Sequence, residues 1–393
     1  MEETLQQQIK EAISKTGFPL EHYIDGVLKQ HGWQTITNRH YIDDIKGVER
    51  EIDILAYKVC TDSAENIQYV TTLIISCKKS DSNKWCFLTR KADPNDSATD
   101  WTPYHFCTND KILSFMSKKH RDNITSVYLC HRGVKHLFNF PERVFAYQQL
   151  SKSVTKNDCK LKGEWYINGN THIYDSIITT IKALDIEKMS RLDKSQQIDC
   201  KRYYTFHLIS VFDGDMLQAS FDEGGNIDIK EISQIKYLNR HIVNKIDNFY
   251  IVNFIKKDIF NYRLTLFDYL HEENSKALPK LVSKFYKEIF CDSEKLELVW
   301  NKVEDTIKTH IKYVLYDAGY TEQDMQLISL HPELRNNILE IEVWGLMLSA
   351  QDAILRLNDN ESLCEVIGKY LSLYLRYNGN FKFVEPLFDF EQS

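Results

Sequence analysis

The segment YVTTLIISCKK, residues 69–79, constrains this chain more than any other. Leu73, Ile74 and Ile75 are apolar at consecutive positions. Successive side chains of a strand point to opposite faces, so this run reads as a strand covered on both sides. A second segment of the same kind, GVEREIDILAYKV at 47–59, precedes it, and the polar residues 60–68 suit a connecting loop. Covered strands need helices on their faces, and the flanking sequence supplies them. Residues 2–16 read as a polar helix, broken at Gly17 and Pro19. Residues 20–31 read as a second helix, with Tyr23, Ile24, Val27 and Leu28 on one face and Gly32 as its stop. WQTITNRHYID (33–43) is then a first strand and turn. A long polar connection (81–110), a short basic helix at 110–121, a strand at 124–132 and an amphipathic helix at 173–186 follow. Helix, three strands, helix, strand is an α/β layered order.

Downstream, residues 202–222 read as two strands around a turn at Asp213-Gly214, and 249–257 as another apolar strand. From about residue 258 the pattern is taken as helical to the end, most clearly over 295–319 and 332–357. No internal repeat or low-complexity linker is present.

Composition narrows the class. With 43% hydrophobic residues the chain is expected to be globular. No apolar run approaches the ~20 residues of a bilayer-spanning helix, so no membrane association is expected. MEETLQQQIKEAISK lacks the apolar core of a secretion signal. Nine cysteines without a CxxC pair fit free thiols in a reducing cytoplasm. HExxH, Walker and Gly-rich dinucleotide motifs are absent from the sequence. Net charge is −7, but it is unevenly spread. Residues 1–170 carry 23 Lys/Arg against 21 Asp/Glu, and 111–163 carry 11 against 3. The basic stretch suits a phosphate backbone or an ordinary solvated surface.

The candidate chemistry lies on the two covered strands. Asp53 sits between Ile52 and Ile54, and aspartate is disfavoured inside strands. Strict alternation places Glu49, Glu51 and Asp53 on one face and both isoleucines on the other. Lys78 closes the apolar run, sharing a face with Ser76, while Cys77 and Lys79 point the other way; spacing alone does not prefer Lys78 over Lys79. Glu21 lies on the apolar stripe of its helix, where a carboxylate is costly unless paired or metal-bound. An exposed first-turn glutamate favoured by the helix dipole is the other reading. A carboxylate facing a lysine on the next strand can hold a hard divalent cation, which activates water and polarises phosphate. The lysine then stabilises transition-state charge.

At these residues the chain resembles a known family. TGFPLEHYIDGVLKQHGWQTITNRHYIDDIKGVEREIDILAY followed by LIISCKKSDSNKWCF is similar to the restriction-endonuclease-like PD-(D/E)xK nuclease superfamily, over roughly residues 16–90 and loosely to 135. The resemblance implies an α/β fold with a restriction-endonuclease-like core, a mixed sheet flanked by helices, carrying further strands and a helical C-terminal region. The divisions expected are a nuclease domain at 1–190, a strand-rich extension at 191–260 and a helical domain at 261–393. Carried over, Asp53 is the metal-binding aspartate, Lys78 the catalytic lysine, and Glu21 the helix carboxylate for a second metal or water. Ser76 occupies the position of the usual second carboxylate, a departure that Glu51 or Glu21 would have to make good. The implied activity is Mg²⁺- or Mn²⁺-dependent DNA cleavage in restriction or phage defence. Lys79, Lys84, Lys118, Lys119 and Arg121 would grip the DNA backbone, and Trp85 reads as core packing. A second copy or a partner protein is expected on the C-terminal helical region. The alternative is an inactive nuclease-fold protein serving as a nucleic-acid-binding or assembly module.

Overall fold

The computed structural model describes residues 3–43, 47–93, 95–101, 103–119, 141–153, 164–195, 200–222, 224–243, 246–346 and 350–386. The chain forms two compact units, Met1–Pro279 and Lys280–Ser393. The strand expected at 124–132 lies outside the described residues.

The first unit opens with helices α1 (Glu3–Ser14) and α2 (Phe18–Gln30). Pro19 in the first turn of α2 forgoes an N–H that has no helical partner there. Gly32, with φ of 77°, supplies the left-handed residue that ends it. Strands β1 (Gln34–Asp43), β2 (Val48–Asp62) and β3 (Ile67–Lys79) follow as an antiparallel meander. The crossover helix is α4 (Thr171–Ser195), which leads to β8 (Lys201–Asp213), paired parallel to β3. The helix expected at 110–121 exists as α3 (Lys111–Lys119), after the short strand β5 (Phe106–Thr108). With β11 (Gln234–Val243) and β12 (Ile246–Lys256), the main sheet runs β1-β2-β3-β8-β12-β11, and β5 pairs with β8. It is mixed: β3, β8 and β12 are mutually parallel, and the remaining pairs are antiparallel.

A second sheet takes β4 (Asn83–Lys91), β6 (Glu142–Lys152), β7 (Trp165–Ile167), β9 (Met216–Phe221) and β10 (Ile227–Ile232) in the order β10-β9-β4-β6-β7. The two strands expected around Asp213-Gly214 are therefore not a hairpin, since β8 and β9 belong to different sheets. Gly214 makes the passage: a Cβ there would stand 2.7 Å from Ser80 O. The stretch expected as a strand-rich extension supplies β8, β11 and β12 to the main sheet and β9 and β10 to the second.

Both faces of the main sheet are covered, as the run at 73–75 requires. On one face Ile54, Leu73, Ile75 and Cys77 pack with Leu20, Ile24 and Leu28 of α2 and with Phe260, Leu264 and Phe267 of α5 (Lys257–Lys287). On the other, Leu55 and Ile74 pack with Ile173, Ile177 and Ile181 of α4 and with Trp85 and Phe87 of the second sheet.

The second unit is mainly helical, as expected, but strands interrupt the helices. Residues 295–319 hold two helices, α6 (Ser293–Trp300) and α7 (Glu304–Asp317). Most of 332–357 is not helix: β13 (Ser329–Arg335) and β14 (Ile338–Trp344) form an antiparallel hairpin, and helix resumes at α8 (Ala350–Asp359). Leu339, Ile341 and Val343 are buried and alternate with Glu340 and Glu342, a period of two that signals a half-buried strand. Asn336 and Asn337, both at positive φ, make the turn. α9 (Glu361–Tyr370) and β15 (Phe381–Val384), parallel to β14, complete the unit.

Candidate active site

The site forms where β2 and β3 part. Their ladder begins at Ile54↔Ile75 and runs away from Asp53. At the vacated position the Asp53 carboxylate stands in for a backbone acceptor. Its Oδ2 accepts the Cys77 backbone N–H at 2.5 Å and the Ser76 hydroxyl at 3.2 Å. Lys78 Nζ stands 3.7 Å from the same oxygen. Lys78 and Asp53 are thus brought together, each partly shielded from solvent.

A break in the pleat on the β1 side presents Asp53 in this way. The β1–β2 ladder steps from Thr37↔Ile54 to Arg39↔Ile52, and Asn38, opposite Asp53, has φ of 52°. Asparagine is among the few L-residues that tolerate this conformation. The phase of β2 slips at the same point: Ile54 packs with α2, whereas Ile52 packs with α4. Strict alternation, which expects Ile52 and Ile54 on one face, fails here because Asp53 spends its side chain on a neighbouring strand.

Glu21 joins from α2. Its backbone N–H bonds Gly17 O at 3.1 Å in the first turn. A Cβ at Gly17 would lie 3.4 Å from Glu21 Oε1, so the carboxylate folds back over the helix start. Burial raises the Glu21 pKa above the ordinary carboxylate range, repulsion from Asp53 and Glu51 raises it further, and Lys78 opposes both. Glu21, Glu51, Asp53 and Lys78 therefore share one electrostatic neighbourhood, the region that sequence reasoning singled out. Glu51 also lies 3.9 Å from His40 Nε2. Cys77 lies within the same field: burial, then the charges of Asp53 and Glu21, pushes its thiol well above the ordinary value, which keeps it neutral. Among the described residues, no three His, Cys, Asp or Glu side chains are gathered closely enough to hold a metal ion.

Ser76 does not face outward as a ligand would. It is fully buried and donates to Asp53, so its observed part is to orient that carboxylate. Lys79 is separated from Lys78 by its partner: its Nζ donates to Ser14 O, at the end of α1, at 2.6 Å. Lys84 pairs with Asp215 at 2.9 Å and lies over the Trp165 ring, 5.4 Å from its centroid. Trp85 is fully buried and stacks on Phe212 at 3.9 Å between centroids. Lys118 and Lys119 end α3, but their side chains, and Arg121 altogether, lie outside the described residues.

Sequence reasoning missed Lys256 and Lys257. The register runs Lys78↔Phe212↔Lys256, so the carboxyl ends of three parallel strands lie side by side. In open α/β sheets this is the edge where ligands bind. Lys256 pairs with Glu231 at 3.2 Å and Lys257 with Asp213 at 3.1 Å. The signal was present: FYIVNFIKK (249–257) repeats the pattern of LIISCKK (73–79), an apolar strand ending in two lysines. The described cysteines are all free thiols. No helix among the described residues is long and apolar enough to cross a membrane.

Compared with known proteins, the chain matches no family model, no curated protein and no solved structure.

Proposed function

We propose that the chain is a divalent-metal-dependent nuclease of the restriction-endonuclease-like kind, hydrolysing phosphodiester bonds in DNA. The observation that carries this reading is the gathering of Asp53, Lys78, Glu21 and Glu51 at the point where β2 leaves β3. The order α2, β1, β2, β3, α4, β8 around a mixed sheet supports the nuclease-fold part of the reading.

The donors suit Mg²⁺ or Mn²⁺, since all are hard carboxylate oxygens. Mg²⁺ takes one or two carboxylates and completes its shell with water and substrate phosphate, so a ready-made three-carboxylate cage is not needed. Bound there, the ion would supply an activated water and polarise the scissile phosphate. The protein's own residues do the rest. Ser76 and the Cys77 N–H fix Asp53 through Oδ2, and Oδ1 would be the oxygen offered to the ion. Glu21 and Glu51 add negative charge that repels Asp53 until a cation relieves it. Lys78 stabilises charge growing on the phosphate. Lys256 and Lys257, on the same sheet edge, join Lys79 and Lys84 as candidate backbone contacts. A role in restriction or phage defence rests on family analogy alone. The direct test is cleavage of supercoiled plasmid with Mg²⁺ or Mn²⁺ by the wild-type chain and by Asp53→Asn.

Two observations favour a second reading, a nucleic-acid-binding or assembly module without catalysis. Ser76 replaces the usual carboxylate, and no close three-donor group exists among the described residues. DNA retention on a gel, with no cleavage by wild type under either metal, would select it.

A further inference from the structure

A cavity of about 290 Å³ opens where β6 and β9 of the second sheet meet β11 and β12 of the main sheet and the first turns of α5. In the main sheet β3, β8 and β12 stand between β2 and β11, so this place is remote from Asp53. Two side chains of opposite charge line the cavity, Arg263 of α5 and Glu142 at the start of β6. No ion pair joins them.

Arg263 is the informative residue. Phe260, Leu264 and Phe267 form the buried stripe of α5, and helical spacing sets Arg263 beside them. It is only 5% exposed, and its Nε finds no hydrogen-bond partner among the described residues. A buried guanidinium is costly unless an anion meets it. Lys236, on the same wall, is no such anion: it has a contact of its own, and burial followed by the Arg263 charge pushes its amine down to about 7. Glu142 is tied to the second sheet instead. Its Oε2 accepts a hydrogen bond from Gln218 Nε2, and that nitrogen also donates to Thr89 Oγ1 at 2.9 Å. The fold thus holds a cation and an anion at one cavity without letting them pair.

We propose that this cavity binds a small amino acid as its zwitterion, with the carboxylate on Arg263 and the ammonium on Glu142. The guanidinium fork matches the two oxygens of a carboxylate. The ammonium would donate to Glu142, whose Oε1 would be the oxygen offered. A simple anion meets like charge at Glu142, and a simple cation meets it at Arg263, so a molecule carrying both signs is the one that suits both. The cavity is at the small end of ligand pockets, which run about 300–1,000 Å³. Pro141 and Ile235, the apolar lining residues that are not fully buried, suit a short methylene stem.

Calorimetric titration of the full chain tests this. The probes are glycine, β-alanine and 4-aminobutyrate, which differ in the separation of their charges, with acetate and ethylammonium as single-charge compounds. At least one of the three amino acids should bind at least about tenfold tighter than either single-charge compound. Arg263→Met and Glu142→Gln should each weaken that binding by at least about tenfold. Glu142→Gln should also narrow the preference over acetate, which a merely structural role for Glu142 would not do. Without ligand, Arg263→Met should melt no lower than wild type, since it removes a buried charge that lacks a counter-ion. Should Arg263→Met not fold, Glu142→Gln, at a partly exposed position, carries the test. No binding of any of the three amino acids at millimolar concentration, a single-charge compound binding as tightly, or unchanged affinity in Glu142→Gln would overturn the proposal. Plasmid cleavage plays no part in this readout, so it stands or falls apart from the nuclease reading.

Discussion

Asp53 serves two ends with one side chain. Its Oδ2 replaces a missing ladder acceptor for Cys77 N–H, while its charge is what the proposed chemistry uses. The two can be separated. Asp53→Asn keeps an oxygen for Cys77 and Ser76 and should lose less than about 1 kcal/mol of stability. Asp53→Ala leaves a buried N–H unpaired and should lose about 1–3 kcal/mol by chemical denaturation. Both should lose cleavage. The lysines separate in the opposite manner. Lys78→Ala should lower the cleavage rate about 10²–10³-fold with little change in folding. Lys79→Ala should cost about 0.3–1 kcal/mol, because the charge leaves the end of α1, and should lose far less of the cleavage rate than Lys78→Ala. Equal rate losses would contradict the division of labour. Glu21 gives a pH signature. Its folded-state pKa is raised, so ionising it in the folded chain costs stability. That cost is absent at low pH, where folded and unfolded chains are both protonated. It grows as pH rises through the ordinary carboxylate range towards the raised value, and it persists at neutral pH. Glu21→Gln should therefore be more stable than wild type at pH 7 in chelator, with the difference gone below about pH 4. Urea titrations across that range check the sign.

At the scale of elements, the sequence is readable where one residue type dominates a face. The two covered strands, Ile24, Val27 and Leu28 of the α2 stripe and the lysine-terminated edge of β3 follow from local pattern, whereas Tyr23, expected on that stripe, is exposed. The hairpin β13–β14 is hidden because Leu339, Ile341 and Val343 sit inside a longer apolar window that also suits a helix, and only the Asn336-Asn337 turn argues against it. The slip at Asp53 is invisible to any alternation rule, since it depends on where β3 offers an N–H. The orienting part of Ser76 is hidden for the same reason: it requires knowing that β2 has already left β3. Gly345 marks the end of the hairpin. It has φ of 81°, and a Cβ there would fall 2.2 Å from Leu327 O. Gly345→Ala should lower the stability of the second unit by about 2–3 kcal/mol, combining backbone strain with a steric clash that nothing flexible can relieve.

At the scale of the molecule, the proposed chemistry lies wholly in the unit Met1–Pro279. Scanning calorimetry should resolve two transitions, and Gly345→Ala should move one of them while plasmid cleavage below that transition stays at the wild-type rate. Loss of cleavage with the first unit intact would instead place the activity, or its control, in Lys280–Ser393. The central claim, that Asp53 and its neighbours form a metal-dependent phosphodiesterase centre, is tested most directly by plasmid cleavage titrated against Mg²⁺ for wild type, Asp53→Asn and Lys78→Ala. The account requires metal-dependent nicking or linearisation by wild type, abolished in Asp53→Asn and reduced about 10²–10³-fold in Lys78→Ala at saturating metal. Cleavage that persists undiminished in folded Asp53→Asn, or no cleavage by wild type with either Mg²⁺ or Mn²⁺, would contradict it.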